Sequence, residues 1–354
     1  MFKLYRFEMK KIHRSASLWV CIGVFVLICM AINYVHADAF LTPAAVPSDS
    51  EQQKIMSEMN DEEKAQYKEQ IEWQIMLRDG ATPEQLAKMS EEDRAAYESI
   101  RNGELYTFDK ERAKYEIEHN INAAFGIPSF IENAFANGYM GMFMIFIAVI
   151  ISAVIAKEYN NSTIKISLLS PHKRSDIILS KLLCILTVIL EFLLITALFC
   201  AVESVIYFMA VGKSNPEPFN CMKEVKFGDT LTTMPVVGRL LMVFGMSVLS
   251  TFMVALVISF ISVISKNVVL TIMTPVATFL IPMVVTSDKI TNNVVWKYLF
   301  FNLIDNYLII SPTSRTSKDL AATLIITAIW AVVFGAGSVI AFEKQDIYNW
   351  WFGF

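Results

Sequence analysis

The stretch AKEYNNSTIKISLLSPHKRSDIILSKLL, Ala156–Leu183, separates two long apolar runs, and the rest of the chain is read outward from it. The run before it ends at Val154-Ile155-Ala156, and the charged pair Lys157-Glu158 follows at once. Asn160, Asn161, Ser162 and Thr163 are polar. Ile164, Leu168 and Leu169 then recur at helical spacing, with Lys165 and Ser167 between them. That pattern predicts a short amphipathic helix lying at a membrane surface and ended by Ser170-Pro171. Lys173-Arg174 is basic, Ser175-Asp176 can cap the next helix, and Lys181 stands at the foot of the next apolar run. An ordinary basic loop is the competing reading of the same residues.

The whole composition agrees with a membrane setting. The 354 residues are 55% hydrophobic and 18% charged, with a mean hydropathy of +0.46. Soluble domains carry about a quarter charged residues. Several apolar runs approach the ~20 residues that span a bilayer as a helix. The net charge of −4 conceals a split: residues 37–133 hold 21 acidic and 10 basic residues, the remainder 13 and 20. An acidic insert interrupts a mildly basic membrane body. Of the five cysteines, Cys21, Cys29, Cys184 and Cys200 lie in apolar runs and only Cys221 in a polar one, which is no disulfide or zinc pattern.

The expected fold class is an all-α polytopic membrane protein with six transmembrane helices and a helical extracytoplasmic insert between the first and second. Residues 1–36 form a basic N-terminal segment and the first span. Phe2, Tyr5, Met9 and Ile12 fall on one helical face, which suits an interfacial helix; a plain positive flank that only sets topology fits equally. Leu18–Val35 is longer than a signal-peptide core, despite Ala37-Asp38-Ala39, and is read as a retained anchor. The basic flank predicts a cytoplasmic N-terminus.

Residues 37–133 are expected to form the acidic extracytoplasmic domain. Asn60 with Glu63 should open a helix running to Asp79-Gly80, and Ser90 with Asp93 another ending at Asn102-Gly103. A third should start near Thr107 or Asp109, run towards Ala124 and stop at Gly126-Ile127-Pro128. The stretch from Met59 to Tyr67 resembles that from Met89 to Tyr97, so either a duplicated unit or two independent caps is present. The insert either binds a cationic peptide or is a solvated cap; no site residue stands out in it.

Residues 134–354 hold spans two to six, with the coupling segment at 157–176. The spans are read as Gly138–Ala156, Ile177–Val211, Val236–Ile264, Val268–Val285 and Leu320–Phe342. Both termini are then cytoplasmic, and Lys157, Lys165, Lys173, Arg174 and Lys181 obey the positive-inside bias. Gly212–Pro235 is expected as an outer polar loop. Thr286–Asp319, too polar for a span and too aromatic for a free loop, is expected to hold interfacial or re-entrant helices. Pro275 and Pro282 mark bends. The aromatic tail to Phe354 suits an interface. Glu191, near the middle of the third span, should face protein or water rather than lipid, since an intramembrane carboxylate costs about 2.5–3.5 kcal/mol even on the lenient scale. It lines a translocation route or a subunit interface, or is a structural hydrogen-bonded acid between helices.

The order Glu158-Tyr159-x-x-Ser162-Thr163-Ile164-Lys165, then Leu168-Leu169-Ser170-Pro171, then Arg174, Ile177 and Lys181, resembles the ABC-2 type permeases, the membrane subunits of ABC transporters of the bacterial exporter kind. In that family this segment follows the second transmembrane helix and forms the coupling helix that docks on the ATPase. Two positions depart from it: Ser162 stands where glycine is usual, and Lys173 where the residue is usually small. The resemblance implies that Glu158, Thr163, Lys165, Leu168, Leu169 and Arg174 contact the ATPase. It implies partners: a separate ATPase subunit, a second permease copy or related permease, and membrane lipid, with no nucleic acid. No cofactor is expected on this chain, ATP and magnesium belonging to the ATPase. The chain has no GxxxxGK[ST] loop, no paired histidines and no nucleophile with a base beside it.

The expected function is therefore a permease subunit, not an enzyme, in a plasma membrane, that couples ATP hydrolysis by its partner to export of a peptide, lipid or drug. A non-transporting membrane sensor or immunity protein, binding a ligand through the extracytoplasmic domain, is the alternative. A membrane enzyme ranks last.

Overall fold

The structure, a computed structural model, describes residues 2–41, 52, 56, 61–101, 110–119, 126–135, 139–164, 169, 172–211, 219, 221–227, 230–284, 294–303 and 319–345. The expected helix start at Asn60 and end at Asn102-Gly103, the start at Thr107 or Asp109, and the aromatic tail lie outside these residues.

Helix α1, Phe2–His13, leads through a two-residue corner into α2, Ala16–Leu41. The insert contributes α3, Asp61–Asp79, α4, Pro83–Lys88, α5, Glu91–Arg101, and α6, Lys110–Glu118. Then come α7, Ile127–Ala134, and α8, Tyr139–Ile151. A π-helical turn, Ser152–Ala156, and one α-turn, Lys157–Asn160, continue α8. The longest helix, α9, covers Arg174–Val211. Strands β1, Met222–Phe227, and β2, Thr230–Pro235, precede α10, Val236–Ser265, and α11, Val268–Val284. A short turn at Val294–Lys297 and a 3-10 turn at Phe300–Leu303 lead to α12, Leu320–Glu343.

Among the described residues, five helices are long and apolar enough to cross a membrane: Ala16–Val35, Met142–Asn160, Arg174–Ala210, Val236–Ser265 and Leu320–Glu343. The expected fifth span is α11. It has 17 residues and runs without interruption through Pro275 and Pro282. At ~1.5 Å per residue it measures about 26 Å, at the short limit for a span. The all-α expectation needs one correction among the described residues. Part of the expected outer loop is an antiparallel hairpin, with Met222 opposite Pro235 and Phe227 opposite Thr230. The signal was present: Gly228-Asp229 separates two β-favouring runs by two residues, which is hairpin spacing.

Packing fixes which helix ends lie together. Phe25 of α2, Phe143 of α8 and Phe192 of α9 meet in the middle, with ring centroids 4.7–5.4 Å apart. Helices α10 and α12 pack closely, and Gly337 admits the ring of Phe260, which a Cβ would meet at 3.0 Å. At one end of the bundle lie α1 and the ends of α8, α10 and α12. At the other lie α7 and the hairpin, while Phe300 of the 3-10 turn packs on Trp330 and Phe334 midway along α12. The turn between α10 and α11 is built by two residues. Lys266 takes the left-handed conformation, φ 53°, and Asn267 Oδ1 accepts from the N–H groups of Val269 and Leu270.

The hairpin end holds a second ion-pair cluster. Arg239 Nε and Nη2 donate to Glu132 Oε1 at 2.9 and 2.6 Å, and Nη1 to the Glu224 carbonyl. Lys223 stands 3.7 Å from Glu132 Oε2 and donates to Ser129 Oγ at 2.7 Å. Asn33 of α2 donates to Glu203 Oε2 and accepts from Asn133. The sequence places Gly126-Ile127-Pro128 as a break before the second span. In the structure Gly126 is the N-cap of α7, with Pro128 in its first turn, where a missing N–H costs nothing. Helix α7 packs on α2, α9 and α10.

The insert has its own apolar centre of Trp73, Leu77, Ala96, Tyr97, Ile100 and Ala113. Ser90 caps α5 as expected, its Oγ accepting from the Asp93 N–H at 3.1 Å. Asp93 itself turns to Lys110 and Lys114. Burial opposes its charge, but those ammonium groups prevail and hold its carboxyl below the usual value. Helix α4, absent from the expectation, is opened by a Thr82–Gln85 capping box. The two similar helix starts open elements of 19 and 11 residues, with Tyr97 buried where Tyr67 is half-exposed.

Candidate coupling site at the N-terminal end of the bundle

A basic interfacial helix predicts its own buried stripe from spacing, and here the stripe differs from expectation. Helix α1 buries Glu8, Met9 and Ile12, while Phe2 is 65% exposed. Glu8 is the single acid in that helix. Its reason is Lys181, which lies two turns into α9 and is 1% exposed. Lys181 Nζ donates to Glu8 Oε1 at 3.0 Å and to the Val154 carbonyl at 3.2 Å, and lies 3.0 Å from Glu158 Oε1. Lys11 pairs with Glu158 from the more exposed side. One ammonium thus joins α1, the π-turn and α9. A buried ammonium needs such partners, because desolvating it alone costs several kcal/mol.

The π-turn sets this geometry. Lys157 N–H bonds back to Ser152 O, five residues earlier, and Ser152 Oγ donates to Val149 O at 2.7 Å. The wider turn re-aims the residues that follow and is a frequent mark of functional helices. Beyond it, Asn161, Ser162 and Thr163 are exposed. Ser162 has φ 56°, the left-handed region. This is a physical reason for glycine at that position, since a Cβ there costs about 1–2 kcal/mol. Ser162→Gly is expected to raise the stability of the purified chain by about 1 kcal/mol and Ser162→Val to lower it, read as opposite shifts in thermal unfolding.

The six residues implied as ATPase contacts separate into three groups. Thr163 and Leu169 face outward, Leu169 being 86% exposed. Lys165 and Leu168 lie outside the described residues. Glu158 and Arg174 turn inward. Glu158 is 4% exposed and held by Lys181 and Lys11. Arg174 Nη1 donates to the carbonyls of Glu343 and Gln345 at 3.1 and 2.9 Å, at the C-terminus of α12. Both charges have partners within the chain, Glu158 among ammonium groups and Arg174 on two backbone carbonyls.

Gln345 was not singled out in the sequence, yet it ties four elements. Its Nε2 donates to Val263 O at 2.7 Å, its Oε1 accepts from Tyr159 at 2.8 Å, and its carbonyl accepts from Arg174. No local pattern announces a residue whose partners lie 82, 186 and 171 positions away.

Glu191 meets His13, Nε2 to Oε2 at 2.9 Å, with both side chains about a third exposed. His13 Nδ1 is 2.9 Å from Met9 O. Helix α9 has 38 residues and is ~57 Å long, so its first half stands beside α1. Glu191, midway along α9, thereby meets the last residue of α1 just before the corner into α2.

The site thus sets the exposed Thr163 and Leu169 between Glu158 and Arg174, both held by partners within the chain. A family model described as ABC-2 family transporter protein matches residues 2–347. The chain belongs to the ABC-2 transporter family. Comparisons with curated proteins and with solved structures gave no match. An ABC-2 family member is a membrane subunit of a transporter and not itself the catalytic one. The match spans the insert as well as the membrane helices.

Proposed function

We propose that this ABC-2 family chain is the permease of an exporter and receives force from a separate ATPase at the turn around Thr163–Leu169. Both termini and this turn lie in the cytoplasm, and two permeases pair with two ATPases in the plasma membrane. The observation that carries the reading is the contrast at this turn. Leu169 is an exposed apolar side chain, while the roots of the turn, Glu158 and Arg174, are clamped.

Mechanically, that contrast makes a lever. A push on Leu169 is delivered through Glu158 and Lys181 to α1 and α9. Through Arg174 and Gln345 it reaches α10 and α12. The N-terminal end of the bundle then moves as one piece, and the spans tilt against each other to open a route outward. Peptides, lipids and drugs all remain within the substrate class. ATP and magnesium are held by the partner, and the contact set on this chain is Thr163, Lys165, Leu168 and Leu169.

Affinity purification of the chain from its native membrane tests this reading. The wild type is expected to bring down a soluble-type ATPase in equal amount. Leu169→Asp, alone and with Leu168→Asp, should lower the recovered ATPase at least about tenfold, the effect of ~1.4 kcal/mol. Unchanged recovery in the double variant would sink the docking assignment. A wild-type chain that purifies alone, without nucleotide hydrolysis, would favour the sensor reading.

A further inference from the structure

The α1–α2 corner packs against α8 over a cleft of roughly 370 Å³. We propose that this cleft binds the headgroup of an aminophospholipid drawn from the leaflet in which α1 lies. Its walls differ in character. Ile12, Leu18, Ile150 and Val154 form an apolar side where α2 and α8 enter the bilayer. Lys11, Lys157, Ser15 and Ser17 form a polar mouth.

The mouth suits a phosphate. Ser15 and Ser17 flank Ala16, the first residue of the 26-residue helix α2. The first-turn N–H groups of a helix attract anions, and the Lys157 ammonium and the Ser15–Ser17 hydroxyl pair, 2.5 Å apart, stand with them, while Lys11 is paired with Glu158. Basic pockets beside membrane helices bind headgroups in this way.

The floor suits the opposite charge. Glu8 and Glu158 also line the cleft, at 2% and 4% exposure. Each gives Oε1 to Lys181. The Oε2 of each is buried and accepts no hydrogen bond among the described residues. Lys11 stands 3.9 Å from Glu8 Oε2, beyond hydrogen-bond reach. Two such oxygens below a phosphate position call for a cationic donor. A primary ammonium offers three N–H groups. A headgroup carrying phosphate and primary ammonium together meets both ends of the cleft. A purely anionic headgroup leaves the carboxylates unmet, and a quaternary ammonium has no N–H to give. The site is independent of the ATPase reading.

Native mass spectrometry of the full chain tests the proposal, with palmitoyl-oleoyl phosphatidylethanolamine, phosphatidylglycerol and phosphatidylcholine as probes. One phosphatidylethanolamine per chain is expected, retained about fivefold above either other lipid and not displaced by inorganic phosphate. Lys157→Glu and Ser17→Leu should each lower retention of phosphatidylethanolamine about fivefold while the melting temperature stays unchanged. Lys157 is exposed, so it decides the matter should Ser17→Leu disturb folding. Equal retention of the three lipids, preference for phosphatidylglycerol, or unaltered retention of phosphatidylethanolamine in Lys157→Glu would overturn the proposal. Displacement by inorganic phosphate would assign the cleft to a free anion and overturn it as well.

Discussion

Lys181→Met is expected to destabilise the protein by about 3–5 kcal/mol, the usual penalty when one partner leaves a buried ion pair. The side chain is nearly as long, so packing volume is largely kept. What is lost is the charge that holds Glu8 and Glu158, both of which stay buried. Lys11, 47% exposed at its side chain, compensates them only in part. Thermal unfolding of the purified chain should fall by on the order of 10 °C. The triple variant Lys181→Met, Glu8→Gln, Glu158→Gln should recover most of the loss, because amides bury without an uncompensated charge. A single variant as stable as the wild type would show that the three residues are not buried together. The same variant should weaken ATPase association, since Glu158 roots the projecting turn.

Arg239→Met is expected to cost a similar ~3–5 kcal/mol at the opposite end. Arg239 and Glu132 have side chains 7% exposed, and the guanidinium makes two hydrogen bonds to one carboxylate oxygen. Without it Glu132 loses both guanidinium bonds while Lys223 stands 3.7 Å away, and the Glu224 carbonyl loses a donor. Helix α7 and the hairpin should loosen, visible as faster amide exchange in Ile127–Ala134 and Met222–Pro235. ATPase association should persist, because the Lys181 cluster is not touched. Arg239 lies 24 residues before Val263 on one helix, about 36 Å away, and sites so far apart contribute additively. Loss of ATPase association in Arg239→Met would mean that the two ends are not mechanically separate.

Much of this architecture was legible in the chain because a bilayer imposes long-range order on local composition. Apolar runs of about twenty residues must be helices, since no water satisfies their backbone groups. Leu18–Val35 and Leu320–Phe342 therefore emerge with ends displaced by a residue or two. The turn after α8 was legible through Lys157-Glu158, Ser162-Thr163 and Leu168-Leu169, whose order carries the family resemblance. The hairpin does not follow from the polarity of the 24 residues of Gly212–Pro235; only the two-residue Gly228-Asp229 spacing signals it. Helix α7 was missed because proline was taken as a stop, although it is favourable in a first turn.

The sequence by itself determined the class: a multi-pass membrane chain of the ABC-2 kind, with an acidic insert after the first span and a charged turn after the second. Hydropathy, charge and motif order are local quantities, and they suffice for that. Only the tertiary structure decided which charges near this turn have partners inside the chain. Glu158 and Arg174 look as available in the sequence as Thr163 and Leu169. Their fate depends on Glu8, Lys11, Lys181 and Gln345, which come from the first helix, the third span and the far C-terminus. A buried charge persists only beside its counter-charge, and whether that counter-charge arrives is settled by how the helices pack.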